Sequence, residues 1–535
     1  MDALTLNDLT FTYPACAAPA INNIDLRVKE GEFVLLCGST GCGKTTLLRL
    51  IKSSLSPHGE RGGSIAVFGK DPYSLPALEE AALIGMVMQR PETQIVSESV
   101  TDELCFGMAS LGTAPDEIHR RAAEVSGYFG IDHWAEKPTD SLSGGQKQIL
   151  NLASVIAMRP SLLLLDEPTS RLDPISAAEF IAAVVRLNRE TGITVIMAEH
   201  RLELALPVCD RVVFMRGGAV EADAPSGEAA NILASGKESF GFLPPAAKMF
   251  AHCGFKELPL TVKAARALSA NLRAENPRTE EKRAEGEPVL SAKNLYFRYE
   301  KNSPDVLKGA SLEIKAGEIT VIMGGNAAGK TTLAKCICGL LRPYDGKITV
   351  CGRNIRSYAK EELYGKLISY LPQDVNAMFS APTVAEELAL SGIARADIPY
   401  GLEKYSATHP YDLSGGEQQK CALAKLFARP AAILVLDEPT KGLDPSAVEE
   451  LANKLRSLAA SGTAVICVTH DAEFASNIAD SAVMTFDGAC CEKISPAQFF
   501  CGNTFYTTAA AAVARGRAEG VYRSDQFESL LGGPA

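Results

Sequence analysis

FVLLCGSTGCGKTTLLRLIKSS, residues 33–54, joins a strand-length apolar run, a glycine-rich loop and a helix-prone stretch. The loop satisfies G-x-x-x-x-G-K-[ST] in the strand–loop–helix setting that a phosphate-binding loop requires. Its glycines let backbone N–H groups converge on phosphate oxygens, and the helix N-terminus adds a favourable dipole. The chain repeats the arrangement as ITVIMGGNAAGKTTLAKCICGLL, residues 319–341. The expected phosphate contacts are Gly38, Ser39, Thr40, Gly41, Cys42, Gly43, Lys44, Thr45 and Thr46 in the first copy. In the second they are Gly324, Gly325, Asn326, Ala327, Ala328, Gly329, Lys330, Thr331 and Thr332. Lys44 and Lys330 are placed to neutralise β- and γ-phosphates, and Thr45 and Thr331 to hold Mg²⁺. Ala327 stands opposite Gly41. If that position needs φ > 0, alanine costs about 1 kcal/mol, and binding survives on Gly329 and Lys330.

Outward from the loops, further elements recur in the same order. The first half carries Tyr13, Gln89, LSGGQ (142–146), LLLLDEP (162–168) and His200. The second carries Tyr299, Gln373, LSGGE (413–417), ILVLDEP (433–439) and His470. Lys44 to Lys330 is 330 − 44 = 286 residues, and Tyr13 to Tyr299 is 299 − 13 = 286. Gln89 to Gln373 is 373 − 89 = 284, but Asp166 to Asp437 is 437 − 166 = 271. The first half therefore carries about a dozen extra residues, near the polar, helix-prone stretch 111–137 and away from the sheet strands.

Asp166 and Asp437 end apolar strands beside the phosphate loop and are candidate Mg²⁺ ligands, with Thr45, Gln89, Thr331 and Gln373. Glu167 and Glu438 follow as candidates to polarise the attacking water. Two adjacent acids at a buried strand end are costly without a cation or donors nearby. His200 and His470, after the next apolar strands, are candidates to contact the γ-phosphate; Gln89 and Gln373 join them by order and spacing. Tyr13 and Tyr299 lie on early β-rich segments and offer aromatic faces to a base. Continuous apolar runs such as LLLL, ILVL, ITVIMA and TAVICV suit parallel strands covered on both faces, so each half reads as an α/β core.

Composition narrows the field. The 535 residues carry a net charge of −11, which argues against a nucleic-acid binder and against attachment to anionic lipid by charge. No apolar run approaches the ~18 residues of a spanning helix. MDALTLNDLT lacks a basic region and an apolar region, so no signal peptide is expected. The fourteen cysteines show no CxxC pairs and read as reduced, mostly buried thiols of a cytosolic protein.

At LSGGQ and LSGGE the chain resembles two ATP-binding-cassette (ABC) ATPase domains fused in tandem, over about 480 residues. The resemblance implies two α/β nucleotide-binding domains, each a phosphate-loop core with an antiparallel β subdomain and a helical subdomain. It implies head-to-tail pairing, with ATP and Mg²⁺ between the phosphate loop of one domain and the LSGG element of the other. Ser414, Gly415, Gly416 and Glu417 would then complete the site of Lys44, Asp166, Glu167 and His200. Ser143, Gly144, Gly145 and Gln146 would complete that of Lys330, Asp437, Glu438 and His470. The loops SRLD (170–173) and KGLD (441–444) would cross between the sites. Both sites keep their acids and histidines, so both are expected to hydrolyse ATP.

The expected division is 1–245 for the first domain, 246–288 for its tail and a charged linker, 289–500 for the second domain and 501–535 for a C-terminal tail. QRPETQIVSESVTDELCFG (89–107), FGFLPPAAKMF, PLTVKAARAL and FFCGNTFYTTAAAAVARG are similar to segments of the ATPases of energy-coupling-factor (ECF) importers of vitamins and metal ions. QDVNAMFSAPTVAEELAL in the second half departs from that pattern. The ECF resemblance implies an integral membrane coupling subunit, a membrane substrate-binding subunit, and a peripheral place on the cytoplasmic face of the plasma membrane. Asp102, Glu103, Glu386 and Glu387 are candidates to pair with basic residues of coupling helices. A ribosome- or nucleic-acid-directed tandem cassette, and the ATPase of a conventional sugar or peptide transporter, are the alternatives.

Overall fold

Alternating apolar residues at the start of each half make an antiparallel sheet, and unbroken apolar runs later make a parallel one. The computed structural model describes residues 1–14, 18–170, 172–270, 287–429 and 431–531. The chain forms two units, Met1–Pro244 and Pro245–Ala535. The expected linker falls largely in 271–286, and Arg171 of the SRLD loop is also outside the described residues.

The strands of the first unit are β1 (Asp2–Thr12), β2 (Ile21–Lys29), β3 (Phe33–Gly38), β4 (Glu60–Val67), β5 (Ile84–Val87), β6 (Leu162–Asp166), β7 (Thr194–Ala198), β8 (Arg211–Arg216) and β9 (Ala219–Pro225). Strands β2, β1 and β4 form an antiparallel sheet. Along β2, Ile21, Ile24, Leu26 and Val28 are buried while their polar neighbours are exposed, the period of a one-faced sheet. The second sheet has the order β5-β6-β7-β3-β8-β9, parallel except for β8 with β9. Every residue of β3, β6 and β7 is buried, because both faces of this sheet are covered. The carboxyl ends of β3 and β6 therefore deliver the phosphate loop and Asp166 to one edge, where ligands of open α/β sheets bind.

The second unit repeats the plan with β10 (Pro288–Phe297), β11 (Leu307–Lys315), β12 (Ile319–Met323), β13 (Asp345–Val350), β14 (Arg353–Asn354), β15 (Ile368–Leu371), β16 (Ile433–Asp437), β17 (Ala464–Val468), β18 (Ser481–Phe486) and β19 (Ala489–Cys490). Its sheets run β11-β10-β13-β14 and β15-β16-β17-β12-β18-β19. The length difference between the halves is one helix. In the first unit Pro115–Phe129 packs with Val100–Ser110 and Gly144–Ala157 around Leu104, Met108, Val125, Trp134 and Leu150. In the second, the short turns Arg395–Asp397 and Glu403–Tyr405 follow Val384–Ala389.

The duplication also extends into the tails. Helices Pro245–His252 and Val262–Leu268, which follow the first half in sequence, lie in the second unit. There they pack with Ala509–Ala514 and Ser524–Leu530. The first helix of each pair faces the second helix of the other. Met249, Phe250, Ala265, Val513, Val521 and Phe527 form the common core, with Phe250 and Phe527 centroids 6.2 Å apart. Arg517 donates to Ser269 O at 3.0 Å, Arg266 to Ala512 O at 3.2 Å, and His252 Nδ1 lies 2.8 Å from Glu528 Oε1. Phe250→Ala should remove ~3–5 kcal/mol from this four-helix module. Native-state hydrogen exchange should show the four helices losing protection while β12, β16 and β17 keep theirs.

Candidate functional site

Each phosphate loop turns into its helix through a left-handed glycine. Gly43 (φ 103°) caps Lys44–Ile51, and Gly329 (φ 91°) caps Lys330–Ile337. A Cβ on Gly43 would stand 2.6 Å from Ala20 O, so glycine is required for space as well as for φ. At the other position the two copies differ: Gly41 has φ 78° and Ala327 has φ 60°. The alanine sits in the left-handed region, so the condition under which it carries a backbone cost is met.

Lys44 is buried, and its ammonium donates to Gly38 O at 2.8 Å and Ser39 O at 3.3 Å. Lys330 does the same to Gly324 O and Gly325 O, both at 2.8 Å. The lysines are thus folded back over their own loops. Thr45 donates to Asp166 Oδ1 at 2.9 Å. Burial, with the neighbouring Glu167 charge, pushes the Asp166 carboxyl up to about 6, against the Thr45 hydroxyl, Arg49 and Lys44. Burial likewise pushes Asp437 up to about 6, against the Thr331 hydroxyl. Asp437 Oδ1 is buried with no hydrogen-bond partner. Threonine hydroxyl, carboxylate and glutamine amide are hard oxygen donors, so the residues present fit Mg²⁺. Among the described residues no group of three or more His, Cys, Asp or Glu is placed to hold a metal ion. An Mg²⁺ here would take its remaining ligands from phosphate and water, as that cation usually does.

The next residue in each half is strained. Glu167 has φ 45° and Glu438 has φ 53°, a left-handed backbone that a non-glycine residue adopts at a cost of about 1 kcal/mol or more. The turn aims both carboxylates at the histidine that follows the adjacent strand. His200 Nε2 lies 2.7 Å from Glu167 Oε1 and 3.4 Å from the Lys44 ammonium. His470 approaches Glu438 Oε1 with its other nitrogen, Nδ1, at 2.9 Å. Gln89 donates to Glu167 Oε2 at 2.7 Å. Burial opposes ionisation of Glu167, but His200 and Lys44 hold its carboxyl below the usual range. The first unit thus brings together Lys44, Thr45, Gln89, Asp166, Glu167 and His200.

The second unit assembles the same set without its glutamine. Gln373 is exposed and makes no hydrogen bond to Glu438. Instead the Tyr370 hydroxyl stands 3.5 Å from Asp437 Oδ2, where the equivalent β5 residue is Met86. Tyr13 and Tyr299 keep matching positions. Their hydroxyls meet Thr46 Oγ1 at 3.0 Å and Thr332 Oγ1 at 3.1 Å, which ties each ring to its phosphate-loop helix. Ser143 and Ser414 each cap the helix that follows, closing reciprocal boxes with Gln146 and Glu417. Gly144 and Gly415 open those helices, and Gly145 and Gly416 come next.

The family profile described as "ABC transporter" matches residues 21–170 and 307–441, more than half of the chain. The chain belongs to the ABC transporter family. A relative from Bacillus cereus, provisionally named an ABC transporter ATP-binding protein, is 38% identical over 523 residues, 94% of this ABC chain and 93% of the relative. A structure of cbiO1 from Clostridium perfringens, part of the ABC transporter complex cbiONQ, is 30% identical. It covers 44% of this chain and 94% of its own, with a TM-score of 0.40. An archaeal ribosome recycling factor, aABCE1, covers 92% of this chain and 91% of its own at TM-score 0.57 and 20% identity, a likeness of fold alone.

Two expected partner contacts are corrected by burial in this ABC chain. Glu103 is buried and accepts from Val96 N at 3.0 Å and Ser97 N at 2.8 Å. Glu387 is fully buried, accepts from Ser380 N and Ala381 N at 2.6 Å, and pairs with Lys425. Both acids brace the segment after the glutamine from inside; only Asp102 and Glu386 face solvent.

Glu199, absent from the sequence reading, is a buried acid between β7 and His200. It accepts from Thr169 N at 3.0 Å and Thr169 Oγ1 at 2.7 Å. The second unit has Thr469 there. Burial pushes Glu199 up to about 8. A carboxyl raised in the folded state stabilises fully below its unfolded value and loses that contribution as pH rises toward 8. Glu199→Gln should therefore flatten the pH dependence of the first unit's stability. Urea unfolding should find the variant more stable than the parent near pH 8, by a few kcal/mol at most, with little difference near pH 5. Gly41→Ala should lower stability by about 1 kcal/mol and leave ATP affinity within a few-fold in a fluorescent-nucleotide titration, because Ala327 already occupies the same backbone region.

Proposed function

We propose that this chain is the ATP-hydrolysing motor of an ECF-type importer, docked from the cytoplasmic face onto an integral coupling subunit and a membrane substrate-binding subunit. The duplicated Lys–Asp–Glu–His cluster carries the ATPase reading. Lys44 and Lys330 would leave their loop carbonyls for β- and γ-phosphate oxygens. His200 and His470 would present to the γ-phosphate the same ring nitrogen that faces their acid, Nε2 in His200 and Nδ1 in His470. Glu167 and Glu438 would accept a proton from the attacking water. Mg²⁺, held by Thr45 and Asp166 or by Thr331 and Asp437, would supply charge neutralisation at the β/γ oxygens. By the family's head-to-tail arrangement, Ser143 to Gln146 and Ser414 to Glu417 would complete the opposite sites.

The ECF reading rests on the segments after Gln89 and at the tails; the relatives support the broader reading, an ABC transporter ATPase. Among the described residues no helix is long and apolar enough to cross a membrane, so the proposed transport route belongs to partner chains. The net charge of −11 speaks against a nucleic-acid substrate. Binding energy enters as the differential affinity of open and closed states for ATP. Glu167→Gln or Glu438→Gln should slow turnover at its own site by ~10²–10⁴ while retaining ATP binding. Steady-state ATPase assays with each single variant test this; full activity in either would remove that acid from the mechanism. Co-purification from native membranes with two integral proteins tests the importer, and recovery on ribosomes would overturn it.

A further inference from the structure

His200 lacks the usual second anchor of a working histidine. Its Nε2 faces Glu167 and Lys44, but its Nδ1 is buried with no hydrogen-bond partner. A histidine's tautomer and orientation are normally set by the bond its other nitrogen makes. Here packing takes that place. Phe242 lies against the imidazole, with centroids 6.4 Å apart and planes 26° from parallel. Phe242 is itself buried and wedged edge-on against Phe214 of β8, at 5.5 Å and 70°. Ring pairs in this distance range attract beyond simple burial. The short turn Ser239–Phe242 is pinned by the Ser239 hydroxyl, which donates to Leu233 O at 2.9 Å.

The second unit offers a parallel. Phe242 and Tyr506 each stand three residues before the first residue of a tail helix, Pro245 and Ala509 (245 − 242 = 3; 509 − 506 = 3). The Tyr506 hydroxyl stands 3.5 Å from where a Cβ on Gly325 would be. In each half, an aromatic from the stretch just before a tail helix reaches the nucleotide machinery. Phe242 is also only two residues from Pro244, the last residue of its unit.

We propose that Phe242 is a positioning residue: its ring holds the His200 imidazole in one orientation and tautomer, Nε2 toward Glu167 and the phosphate position. The inference rests on the role given above to His200. Removing the ring opens a space beside a histidine that has no second hydrogen bond, so the imidazole turns and water enters. Nucleotide contacts made by Lys44 and the loop stay intact, so the loss falls on kcat and spares KM.

The test uses the full chain carrying Glu438→Gln, which leaves turnover to the Glu167 site. Phe242→Ala should lower kcat ~10–100-fold, the scale of a slightly misplaced catalytic group, with KM for ATP within about threefold. Phe242→Leu, which keeps most of the cover, should stay within about fivefold of the parent in kcat. With ¹⁵N-labelled histidine, the His200 resonances should change from one tautomer in the parent to an average of two in Phe242→Ala. An unchanged kcat, or a single unchanged tautomer, overturns the proposal. If Phe242→Ala fails to fold, Phe214→Leu loosens the same ring, and the averaged or single tautomer of His200 decides in the same way. His200→Ala separates the two readings. If it leaves hydrolysis intact, the role of His200 itself falls; if it abolishes hydrolysis while Phe242→Ala does not, only the present inference falls.

Discussion

A buried carboxylate at the end of a parallel strand has to be compensated, and most of the site follows from that. Asp166 and Asp437 close strands that are covered on both faces, where a bare charge costs several kcal/mol. The compensation is local and repeated. A threonine hydroxyl or a loop lysine leans on the aspartate, and the next residue, a glutamate in a left-handed turn, is held by a histidine just past the end of the neighbouring strand. The strained backbone at Glu167 and Glu438 is held by the bond each amide donates to the neighbouring strand, Glu167 N to Ala198 O at 3.0 Å and Glu438 N to Val468 O at 2.9 Å. An incoming cation and phosphate would relieve an arrangement that is otherwise only partly balanced.

Much of this was legible in sequence because it depends on spacing along single segments. The strand–loop–helix of residues 33–54 and its copy at 319–341 specify the phosphate loop by local chemistry alone; the sequence leaves open whether Ala327 takes the left-handed backbone of Gly41, and it does. The position of the extra residues was also readable, since the offset changes abruptly before LSGGQ; they form the helix Pro115–Phe129. What was not legible depends on tertiary direction. Glu103 and Glu387 look like exposed acids at helix starts, but their side chains turn inward to satisfy backbone N–H groups. Gln89 and Gln373 share order and spacing, yet only Gln89 reaches a glutamate. Phe242 sits in a readable aromatic string, but nothing in that string says which ring it will cover.

The two sites are therefore alike in chemistry and unlike in surroundings. The first has Gln89 on Glu167, Glu199 behind the DEP turn and Phe242 on its histidine. The second has Tyr370 near Asp437, Thr469 in place of Glu199, and its histidine presented through the other nitrogen. Duplicated domains within one chain are free to diverge in this way because each position is encoded twice.

The reciprocal four-helix module has a consequence for what the fusion contributes. Each half of the chain donates one helical hairpin to it, on opposite sides of the charged stretch 271–286. Cohesion between the hairpins comes from Phe250, Val513 and Phe527, and would outlast a cut in the stretch that joins them. Covalent continuity then acts mainly as a high effective concentration. It also enforces mixed pairing, since a chain that carries both hairpins meets its own unlike partner before it meets a second copy of itself.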